Sequence, residues 1–488
     1  MKMISKPFAR FISAAVGAFI VLAALDLTLW GKDTSPNITV STTPVNRDAK
    51  LGTSFAPVVQ KAAPSVVNIS STSIRQRSAS SRFFGNQPSS RRVESLGSGV
   101  LISHDGYILT ANHVVEGAVE IEVSVAGSKT SYVAKIIGTD PPTDIAVLKI
   151  DAKNLPAITL GDSDQLEVGD MVLAIGDPFG IGQTVTTGIV SALGRSGLGF
   201  SGYENFIQTD AAINEGNSGG ALVDAEGRLV GINTGIISAS GGNQGIGFAV
   251  PVNMARHAME RLISGGKVAR GLMGVYPQDI TPALAQAFNL PDENGALIGN
   301  VTPNFPADKA GIKSGDVITG FNGKKVTDAH DLILMVSDCA PGTKATVDLI
   351  QGGRTKSVSV VLAENELVAN SPNNGGSSSS VADNSKPDAL DGVTVQDVDA
   401  DARGSLRIPA TVKGALVSDV AADSNSADAG LQRGDVILEI NRQPITNSAS
   451  AIKLCTDAKT KQILLKVWRR DGGPGVTRWL GVDNTKKN

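Results

Sequence analysis

The sequence predicts a mainly β protein, in which a β-sandwich or barrel is followed by two smaller domains that resemble each other. Short β-rich runs recur between Val66 and Asn233 and are separated by Gly, Asp, Asn and Pro turns. This spacing is typical of an all-β domain rather than of alternating strands and helices. Farther along the chain, residues 310–318 and 429–437 match in step, which indicates a repeated domain. The length of 488 residues also favours three domains.

The first domain is predicted over residues 52–265. Its β-rich runs are Val66–Ile69, Gly99–Ile102, Tyr107–Thr110, Ile121–Val125, Ile145–Ile150, Met171–Ile175, Thr184–Ser191, Phe206–Thr209 and Leu229–Asn233. Residues 71–92 are rich in Ser and Arg and show no periodicity, so we expect a long surface loop there. Helical spacing predicts a closing helix over Val252–Ile263 that stops at Gly265–Gly266.

The repeat defines the two C-terminal domains. The first copy, AGIKSGDVI, begins at Ala310, and the second, AGLQRGDVI, begins at Ala429. Between them, residues 364–388 contain a run of Gly, Ser and Asn, a composition that predicts a flexible linker. We therefore place one domain at residues 270–363 and the other at residues 389–484.

The N-terminus has the layout of an export signal. Three cations precede the apolar run Phe11–Leu25, as in the charged and apolar regions of a signal peptide. We assign residues 1–30 to a signal peptide or, because no clear cleavage motif follows, to a retained signal anchor. Residues 31–51 are polar and indicate an unstructured tether. The protein is expected to be exported. It would be released from the membrane if the signal is cleaved, or stay attached through its N-terminus if the signal is retained.

Composition argues against several partners and cofactors. The formal net charge of −3 gives no strong field of one sign, so nucleic acid is not an expected partner. The sequence has no metalloprotease motif, no paired Cys-x-x-Cys and no phosphate-binding loop, so no metal or nucleotide cofactor is predicted. Cys339 and Cys455 fall at corresponding places in the two similar domains and are expected to be small buried thiols.

A glycine-rich segment carries the strongest signal for catalysis. It reads NEGNSGG from Asn214 to Gly220. A hydroxyl nucleophile needs backbone donors aimed at the developing oxyanion, and glycines let the substrate carbonyl approach that backbone closely. Ser218 is therefore the candidate nucleophile. Taken alone, the segment is equally compatible with an ordinary Gly/Ser turn between strands.

A serine nucleophile needs a general base, and the chain has only four histidines. His113 is the candidate because it follows a predicted strand, where a loop can present it to a cleft. His104 is expected in a solvated turn. His257 and His330 are expected on helices outside the barrel.

The histidine in turn needs a carboxylate that holds its tautomer and stabilises its cation. Asp144 is the candidate because it opens an apolar strand, where an unpaired charge would be costly. Asp140 and Asp210 are alternatives. The chain order His, Asp, Ser is that of the chymotrypsin fold.

Three segments together resemble the HtrA (Deg) family of envelope serine proteases. They are TANHVV around His113, TDIAVLKI around Asp144 and QTDAAINEGNSGGAL around Ser218. The resemblance covers most of residues 52–363 and is looser beyond. It implies a chymotrypsin-like double β-barrel protease domain followed by two PDZ domains, and a trimer or multiples of it. It also implies ATP-independent degradation of misfolded exported proteins in the periplasm or cell envelope.

The resemblance implies roles for single residues of the protease domain. His113, Asp144 and Ser218 match the catalytic triad. The backbone amides of Gly216 and Ser218 would form the oxyanion hole. Arg195 matches the arginine of a sensor loop that couples a PDZ domain to the active site.

The resemblance also implies a substrate pocket. Ile213, Ile237 and Ile246 align with residues that line the primary specificity pocket. Aliphatic walls without a charge would accept small or medium apolar side chains such as Val, Ala or Leu, and reject Lys or Arg.

In the first repeat, Leu272, Met273, Gly274 and Val275 resemble the PDZ carboxylate-binding loop, whose successive amides hold a peptide C-terminus. Unfolded polypeptides and exposed protein C-termini are the implied partners. In the second repeat, Asp391 replaces an apolar loop residue and would repel an incoming carboxylate, which leaves packing or assembly as an alternative role for that domain. The rival hypothesis for the whole chain is a non-catalytic PDZ chaperone or scaffold, or a protease that is also a chaperone. The complete set of His, Asp and Ser argues against an inert barrel.

Overall fold

The computed structural model describes residues 54–76, 90–128, 130–178, 182–214, 216–237, 242–365, 390–458, 460–470 and 475–485. The chain divides into an N-terminal segment, Met1–Pro57, and one compact unit, Val58–Asn488. The signal segment predicted at residues 1–30 and the tether at residues 31–51 lie outside the described residues, as does most of the linker predicted at residues 364–388. No helix in the described residues is long and apolar enough to cross a membrane.

Seven antiparallel strands form the first sheet. They are β1 Val66–Gln76, β2 Ser90–Leu101, β3 Tyr107–Ala111, β4 Ala118–Val125, β5 Ser131–Val133, β6 Lys135–Asp140 and β7 Ile145–Lys149. They pair in the order β5-β4-β1-β2-β3-β7-β6. Helix α1 (Ala56–Ala62) precedes this sheet, and the short helix α2 (Asn112–Val115) follows β3. Apolar side chains from every second strand position, among them Ile69, Leu101 and Leu148, form its core.

The prediction of a loop over residues 71–92 is wrong at both ends of that range. β1 continues to Gln76, and β2 begins at Ser90. The two strands pair without interruption, from Val66 opposite Val100 to Gln76 opposite Ser90. Backbone hydrogen bonds hold a hairpin whatever its side chains are, so the Ser-rich and Arg-rich composition concealed the strands. Ser71, for example, lies within β1 and not in a loop, and its Oγ donates a hydrogen bond to the Val114 carbonyl at 2.6 Å.

Six strands form a second sheet that closes into a barrel. They are β8 Met171–Gly176, β9 Thr184–Arg195, β10 Phe206–Thr209, β11 Ala221–Asp224, β12 Leu229–Ile236 and β13 Gly247–Pro251. The closed order is β10-β13-β12-β11-β8-β9. Helix α3 (Val252–Gly265) follows and packs against β6, β7 and β12, so it joins the two sheets. The predicted closing helix is confirmed, and Gly266 ends it in the left-handed region with a φ of 70°.

Residues 271–364 form the next domain, which has a six-stranded sheet and a separate two-stranded sheet. Its elements are β14 Gly271–Leu272, β15 Val275–Gln278, α4 Pro282–Ala287, β16 Ala296–Val301, α5 Pro306–Lys309, β17 Val317–Phe321, β18 Lys324–Lys325, α6 Ala329–Ser337, β19 Lys344–Gln351, β20 Arg354–Val361 and β21 Ala363–Glu364. The strands pair in the order β15-β16-β17-β19-β20, with β18 on β17, and β14 pairs separately with β21.

Residues 393–483 repeat this architecture. The elements are β22 Val393–Asp397, α7 Ala400–Leu406, β23 Ala415–Val420, α8 Asn425–Asp428, β24 Val436–Ile440, β25 Gln443–Pro444, α9 Ser448–Asp457, β26 Gln462–Arg469 and β27 Val476–Asp483. Their order, β22-β23-β24-β26-β27 with β25 on β24, is that of the preceding domain.

The matching AGIKSGDVI and AGLQRGDVI motifs fold in the same way. Asp316 Oδ2 accepts a hydrogen bond from the Lys313 amide at 2.8 Å, and Asp435 Oδ2 accepts one from the Gln432 amide at 2.9 Å. Each buried aspartate therefore closes the turn before β17 or β24, which explains why the motif recurs.

The two cysteines are free thiols. Cys455 is buried, and this burial raises the pKa of its thiol to about 12. Cys339 is only half-buried, so the expectation of two buried thiols holds for Cys455 and not for Cys339.

Candidate active site

His113 and Asp144 meet at the ends of two paired strands of the first sheet. His113 lies in α2 directly after β3, and Asp144 directly precedes β7, the neighbour of β3. Asp144 Oδ2 accepts a hydrogen bond from His113 Nδ1 at 2.8 Å, and its Oδ1 accepts one from the His113 amide at 2.9 Å. The carboxylate therefore fixes both the ring and the backbone of the histidine and leaves Nε2 for another partner.

The backbone before Asp144 determines where its carboxylate lies. Pro141–Thr143 form a single 3₁₀ turn, and Asp144 itself has a left-handed φ of 58°. Aspartate visits this region more readily than most residues. The Asn112 amide donates to the Asp144 carbonyl at 2.9 Å and ties this turn to the segment that carries the histidine. The Asp144 side chain is 10% exposed and that of His113 is 45% exposed, so a buried acid supports an accessible base.

Thr234, in β12 of the barrel, donates a hydrogen bond to the same carboxylate and was not predicted. Its Oγ1 donates to Asp144 Oδ2 at 2.9 Å, and the residue is buried. Donors from both sheets thus converge on Asp144, which is the kind of partnership that a buried charge requires. A threonine within an apolar strand has no local signal that separates it from other strand residues.

Ser218 lies in the glycine-rich turn beside this array. Its Oγ donates to the Thr234 carbonyl at 3.2 Å, and within the described residues no hydrogen bond joins it to His113. Catalytic hydrogen bonds are often formed only with substrate bound, and rotation of the serine side chain redirects its hydroxyl. The turn itself is tightly packed. A Cβ on Gly219, whose φ is 80°, would lie 2.2 Å from Thr110 Oγ1, so only glycine fits there.

Ser98, in β2, is a second residue that was not predicted. It is completely buried, and its Oγ donates to the Gly216 carbonyl at 2.6 Å and accepts from the Asp177 amide at 2.8 Å. Its own amide donates to the Ser218 carbonyl at 2.8 Å. Ser98 therefore holds the backbone on both sides of the turn whose Gly216 and Ser218 amides are the predicted oxyanion donors. The only sequence signal was a serine between two glycines.

The alternative acids have other partners. Asp140 forms a buried ion pair with Arg270, whose Nη1 lies 2.8 Å from Oδ1. Asp210 Oδ1 accepts a hydrogen bond from the Ile189 amide at 2.7 Å. Neither carboxylate is hydrogen-bonded to a histidine in the described residues.

The other histidines lie away from this array. His104 Nδ1 is 2.6 Å from the Leu155 carbonyl in its turn. His257, on α3, faces Asp338, whose side chain is 53% exposed. His330, on α6, contacts the Glu204 carbonyl. Within the described ranges, His113 is the one histidine that is paired with a buried carboxylate.

Comparisons with known proteins assign this geometry to a family. A model described as a trypsin-like peptidase domain matches residues 97–232, and two PDZ domain models match residues 271–362 and 416–469. The periplasmic pH-dependent serine endoprotease DegQ of Escherichia coli is 41% identical over 427 residues, which cover 85% of this chain and 89% of the relative. The chain belongs to the HtrA (Deg) family of serine proteases.

Further relatives agree with this assignment. The periplasmic serine endoprotease DegP of Escherichia coli is 38% identical over 489 residues, 93% of this chain and 97% of the relative. Among solved structures, the HtrA-type protease AlgW with a decapeptide is 44% identical with a TM-score of 0.54, and the match covers 64% of this chain and 99% of that chain. The predicted fold class is confirmed, and the protein is a serine protease rather than an inert scaffold.

The three isoleucines that the HtrA resemblance assigns to the specificity pocket lie at one rim of the barrel. Ile213 is buried, and a Cβ on Gly247 would lie 3.0 Å from its Cδ1. Ile237 follows β12 and Ile246 precedes β13, and these strands pair through Ile236 and Gly247. The register therefore places Ile237 and Ile246 opposite each other just beyond that pair. Their role in substrate binding stays a prediction.

The predicted sensor residue Arg195 ends β9, and its Nε donates to Gln208 Oε1 of β10 at 2.9 Å. Sequence reasoning missed Tyr203, in the loop that follows. Tyr203 Oη accepts a hydrogen bond from Asn365 Nδ2 at 3.0 Å, which connects the loop to the end of the first PDZ domain. The regulatory role of Arg195 stays a prediction.

In the first PDZ domain, Leu272–Val275 run from the end of β14 to the start of β15, with Met273 and Gly274 in the turn between them. Gly274 has a φ of 80°, and a Cβ there would lie 2.3 Å from Phe305 Cβ, so the turn requires glycine. The Gly274 carbonyl accepts from the Thr302 amide at 2.8 Å. In the described part of the chain, the Met273 and Gly274 amides have no hydrogen-bond acceptor, which leaves them for a ligand.

In the second PDZ domain the corresponding loop carries Asp391. Its Oδ2 accepts a hydrogen bond from the Asn425 amide at 3.1 Å, and its carbonyl accepts one from Ser426 Oγ at 3.0 Å. The Asp391 carboxylate, which was predicted to repel an incoming peptide, therefore accepts a hydrogen bond at the start of α8.

Proposed function

We propose that this protein is a periplasmic serine endopeptidase that degrades misfolded or unfolded exported proteins without ATP. The observation that carries the proposal is the convergence of His113 and Thr234 on the buried Asp144 carboxylate beside the Ser218 turn. The descriptions of its relatives as periplasmic serine endoproteases support the location and the reaction. An export signal within residues 1–30 would deliver the protein, and a retained signal would hold it at the membrane.

In the proposed reaction, Ser218 Oγ turns from the Thr234 carbonyl towards His113 and attacks the substrate carbonyl carbon. His113 Nε2 takes the hydroxyl proton and then gives it to the leaving amine, which yields an acyl-enzyme and a free amino group. Asp144 holds the Nδ1–H tautomer and stabilises the imidazolium. Water, deprotonated by His113, then releases the carboxylic acid and restores the Ser218 hydroxyl.

The backbone amides of Gly216 and Ser218 would hold the oxyanion in both steps. Preorganised donors of this kind are often the largest single contribution to catalysis, because they do not reorient as charge develops. The Ser98 hydroxyl fixes the Gly216 peptide from behind at 2.6 Å. It is a positioning residue, since it does not reach the substrate.

Peptide capture is assigned to Leu272–Val275 of the first PDZ domain, with unfolded polypeptides and exposed C-termini as ligands. The Met273 and Gly274 amides, which have no acceptor among the described residues, support this role, as does the decapeptide in the structure of the related AlgW. We propose a packing or assembly role for the second PDZ domain and a homo-oligomer built from trimers.

The proposed reaction and pocket are tested together by digesting reduced casein without nucleotide and mapping the cut sites. We expect cleavage mainly after Val, Ala and Leu, because Ile213, Ile237 and Ile246 offer apolar walls. Predominant cleavage after Lys or Arg would contradict the pocket. A lack of any cleavage, with or without C-terminal peptides, would contradict the proposed function.

Ser98→Ala is expected to lower kcat by about 10-fold to 100-fold while KM changes little. The variant loses the hydrogen bond that holds the oxyanion hole in place, whereas the groups that bind the substrate are unchanged. Ser95→Ala, an exposed position on the same strand, is the matched control. Separate determination of kcat and KM with a fluorogenic peptide provides the check. Equal kcat values for the two variants would show that Ser98 does not position the oxyanion hole.

The activity is expected to be lost at acid pH with a midpoint above 6.5. Burial lowers the pKa of His113, but the hydrogen bond and charge of Asp144 and the charge of Glu116 outweigh it, so the pKa is raised above its ordinary value of 6.5. The base must be neutral, so kcat/KM should fall about tenfold per pH unit below that midpoint. Glu116→Gln should move the midpoint to lower pH. A parent midpoint below 6.5 would show that another group controls the rate.

A further inference from the structure

Both PDZ domains line the groove beside the carboxylate loop. The groove runs along β15 and has a volume of about 540 Å³. Helix α6 of the first PDZ domain forms one wall, which includes Leu332 and Val336. The start of β27, in the second PDZ domain, forms another wall, which includes Val476 and Thr477. A peptide bound in this groove would therefore contact both domains.

The two walls lie on opposite faces of the six-stranded sheet of the first PDZ domain. Neighbouring residues of β16 show this arrangement. Ile298 belongs to the apolar core that includes Leu332 of α6. Leu297 belongs to a separate apolar cluster that includes Trp479 of β27. Because successive side chains of a strand point to opposite faces, α6 covers one face of the sheet and β27 covers the other.

Specific hydrogen bonds hold β27 beside the end of β15. Gln278 Nε2 donates to the Trp479 carbonyl at 2.9 Å, and the Trp479 amide donates to Gln278 Oε1 at 2.8 Å. Thr477 Oγ1 donates to the Gly299 carbonyl of β16 at 2.7 Å. The glutamine side chain therefore pairs with the strand of the other domain as a backbone amide would, and β27 is fixed where β15 ends.

Apolar contacts support the same interface. The Trp479 side chain is buried in one cluster with Leu284 of the first PDZ domain. Its ring meets Phe288 edge to face, with the centroids 5.5 Å apart. A Cβ on Gly481 of β27 would lie 2.7 Å from the Ala283 Cβ, so the two domains approach closely there. A buried aromatic anchor with satisfied hydrogen bonds is typical of a specific interface.

A peptide that adds to β15 would present alternate side chains to the two walls. β15 ends its sheet, so within the described residues its outer edge is unpaired. The last residue of the peptide would be held at Met273 and Gly274, and the preceding residues would run antiparallel to β15. Met273 belongs to the core on the α6 face. The last and third-last side chains therefore face α6, and the second-last and fourth-last side chains point to the other face.

The fourth-last residue of the peptide is the one that meets β27. With the last residue opposite Val275, an antiparallel peptide places its fourth-last residue opposite Gln278. Directly opposite residues of two strands point to the same face, and the Gln278 side chain is bonded to Trp479 on the β27 face. Val476 lines the groove on that side, and the Tyr276 side chain shares the face of Gln278 because it lies two residues earlier in β15. These surroundings favour an apolar side chain.

We propose that the second PDZ domain completes the peptide site of the first through β27, and that this wall selects Leu, Ile or Val as the fourth-last residue of a free C-terminus. The proposal rests on peptide capture by Leu272–Val275. It gives the second domain a direct part in recognition, although the carboxylate in its own loop, that of Asp391, is held at the start of α8.

The test uses the full chain with Ser218→Ala, which prevents cleavage, and fluorescein-labelled decapeptides that share one apolar C-terminal residue. Leu or Ala is placed at the fourth-last position and, in a second pair of peptides, at the third-last position. Affinity is measured by fluorescence anisotropy. We expect Leu at the fourth-last position to bind about fivefold more tightly than Ala, because β27 buries part of the larger side chain. The Leu-to-Ala ratio at the third-last position is the internal control, because that side chain faces α6.

Two variants remove the proposed contact in different ways. Val476→Asp places a charge in the β27 wall and should bring the Leu-to-Ala ratio at the fourth-last position to about one or below. Trp479→Ala removes the aromatic anchor that holds β27 in place and should bring this ratio to about one. Neither variant should change the ratio at the third-last position. Val361→Asp, exposed on β20 at the other edge of the sheet, is the matched control and should leave both ratios unchanged.

The possible results separate the two proposals. A parent ratio of about one at the fourth-last position, or a parent ratio that either folded variant retains, would overturn the role of β27 and leave peptide capture standing. An equal loss of both ratios would also overturn it, because the variants would then act on the whole groove. If no peptide binds to the parent, peptide capture and this inference fail together. Thermal unfolding shows which variants remain folded, and Val476→Asp decides the matter if Trp479→Ala unfolds.

Discussion

Ser218→Ala is expected to reduce kcat for peptide cleavage by about 10⁶-fold, to the residual rate that binding and the oxyanion hole alone provide. The variant loses the only atom that can form the acyl-enzyme, while the turn around it stays intact. Gly219 and Gly216 set that turn through their positive φ values, and neither depends on the Ser218 hydroxyl. Initial rates with a fluorogenic peptide measure the loss.

A matched serine tests whether the loss is local. Ser405→Ala changes an exposed serine on α7, in the second PDZ domain, and is expected to retain the parent rate. A Ser218→Ala protein that still cleaves within about tenfold of the parent would exclude serine catalysis at this site.

Asp144→Asn is expected to reduce kcat by about 10⁴-fold without unfolding the protein. The carboxylate accepts hydrogen bonds from the His113 ring, the His113 amide and Thr234 Oγ1. An amide of the same shape has only one acceptor atom, and its NH₂ group would face a donor. The imidazole would then take the other tautomer, with its proton on Nε2, and could not accept the Ser218 proton.

Asp210→Asn is the informative control, because Asp210 was an alternative for the same role. Its carboxylate accepts a hydrogen bond from the Ile189 amide, and none joins it to a histidine in the part of the chain that the structure describes. We expect its kcat to stay within about threefold of the parent rate. If Asp210→Asn were the more damaging of the two substitutions, the assignment of the orienting acid would be wrong.

The sequence was sufficient where chemistry restricts the residue type. Few residues can serve as nucleophile, base and acid, so Ser218, His113 and Asp144 could be proposed for these roles from their type and their order along the chain. The structure brings His113 and Asp144 together and places Ser218 one hydrogen-bonded step away, through Thr234.

The sequence was insufficient where ordinary residues act through long-range pairing. Ser98 and Thr234 lie in strands of different sheets, and each becomes informative only once the sheets meet at the turn around Ser218. The contact between Gln278 and Trp479 joins residues 201 positions apart. Asp140 was weighed as a catalytic acid, but its buried pairing with Arg270, 130 positions away, shows a structural role. No local pattern predicts such contacts.

The most direct measurement is active-site labelling of the full chain with a fluorophosphonate, followed by mass spectrometry of the modified peptide. A fluorophosphonate reacts with a serine only where a base and an oxyanion hole activate it. We predict one label per chain, on Ser218, and none on the Ser218→Ala or Asp144→Asn proteins within the same reaction time. A label on another serine, or casein cleavage by a parent protein that takes up no label, would contradict it.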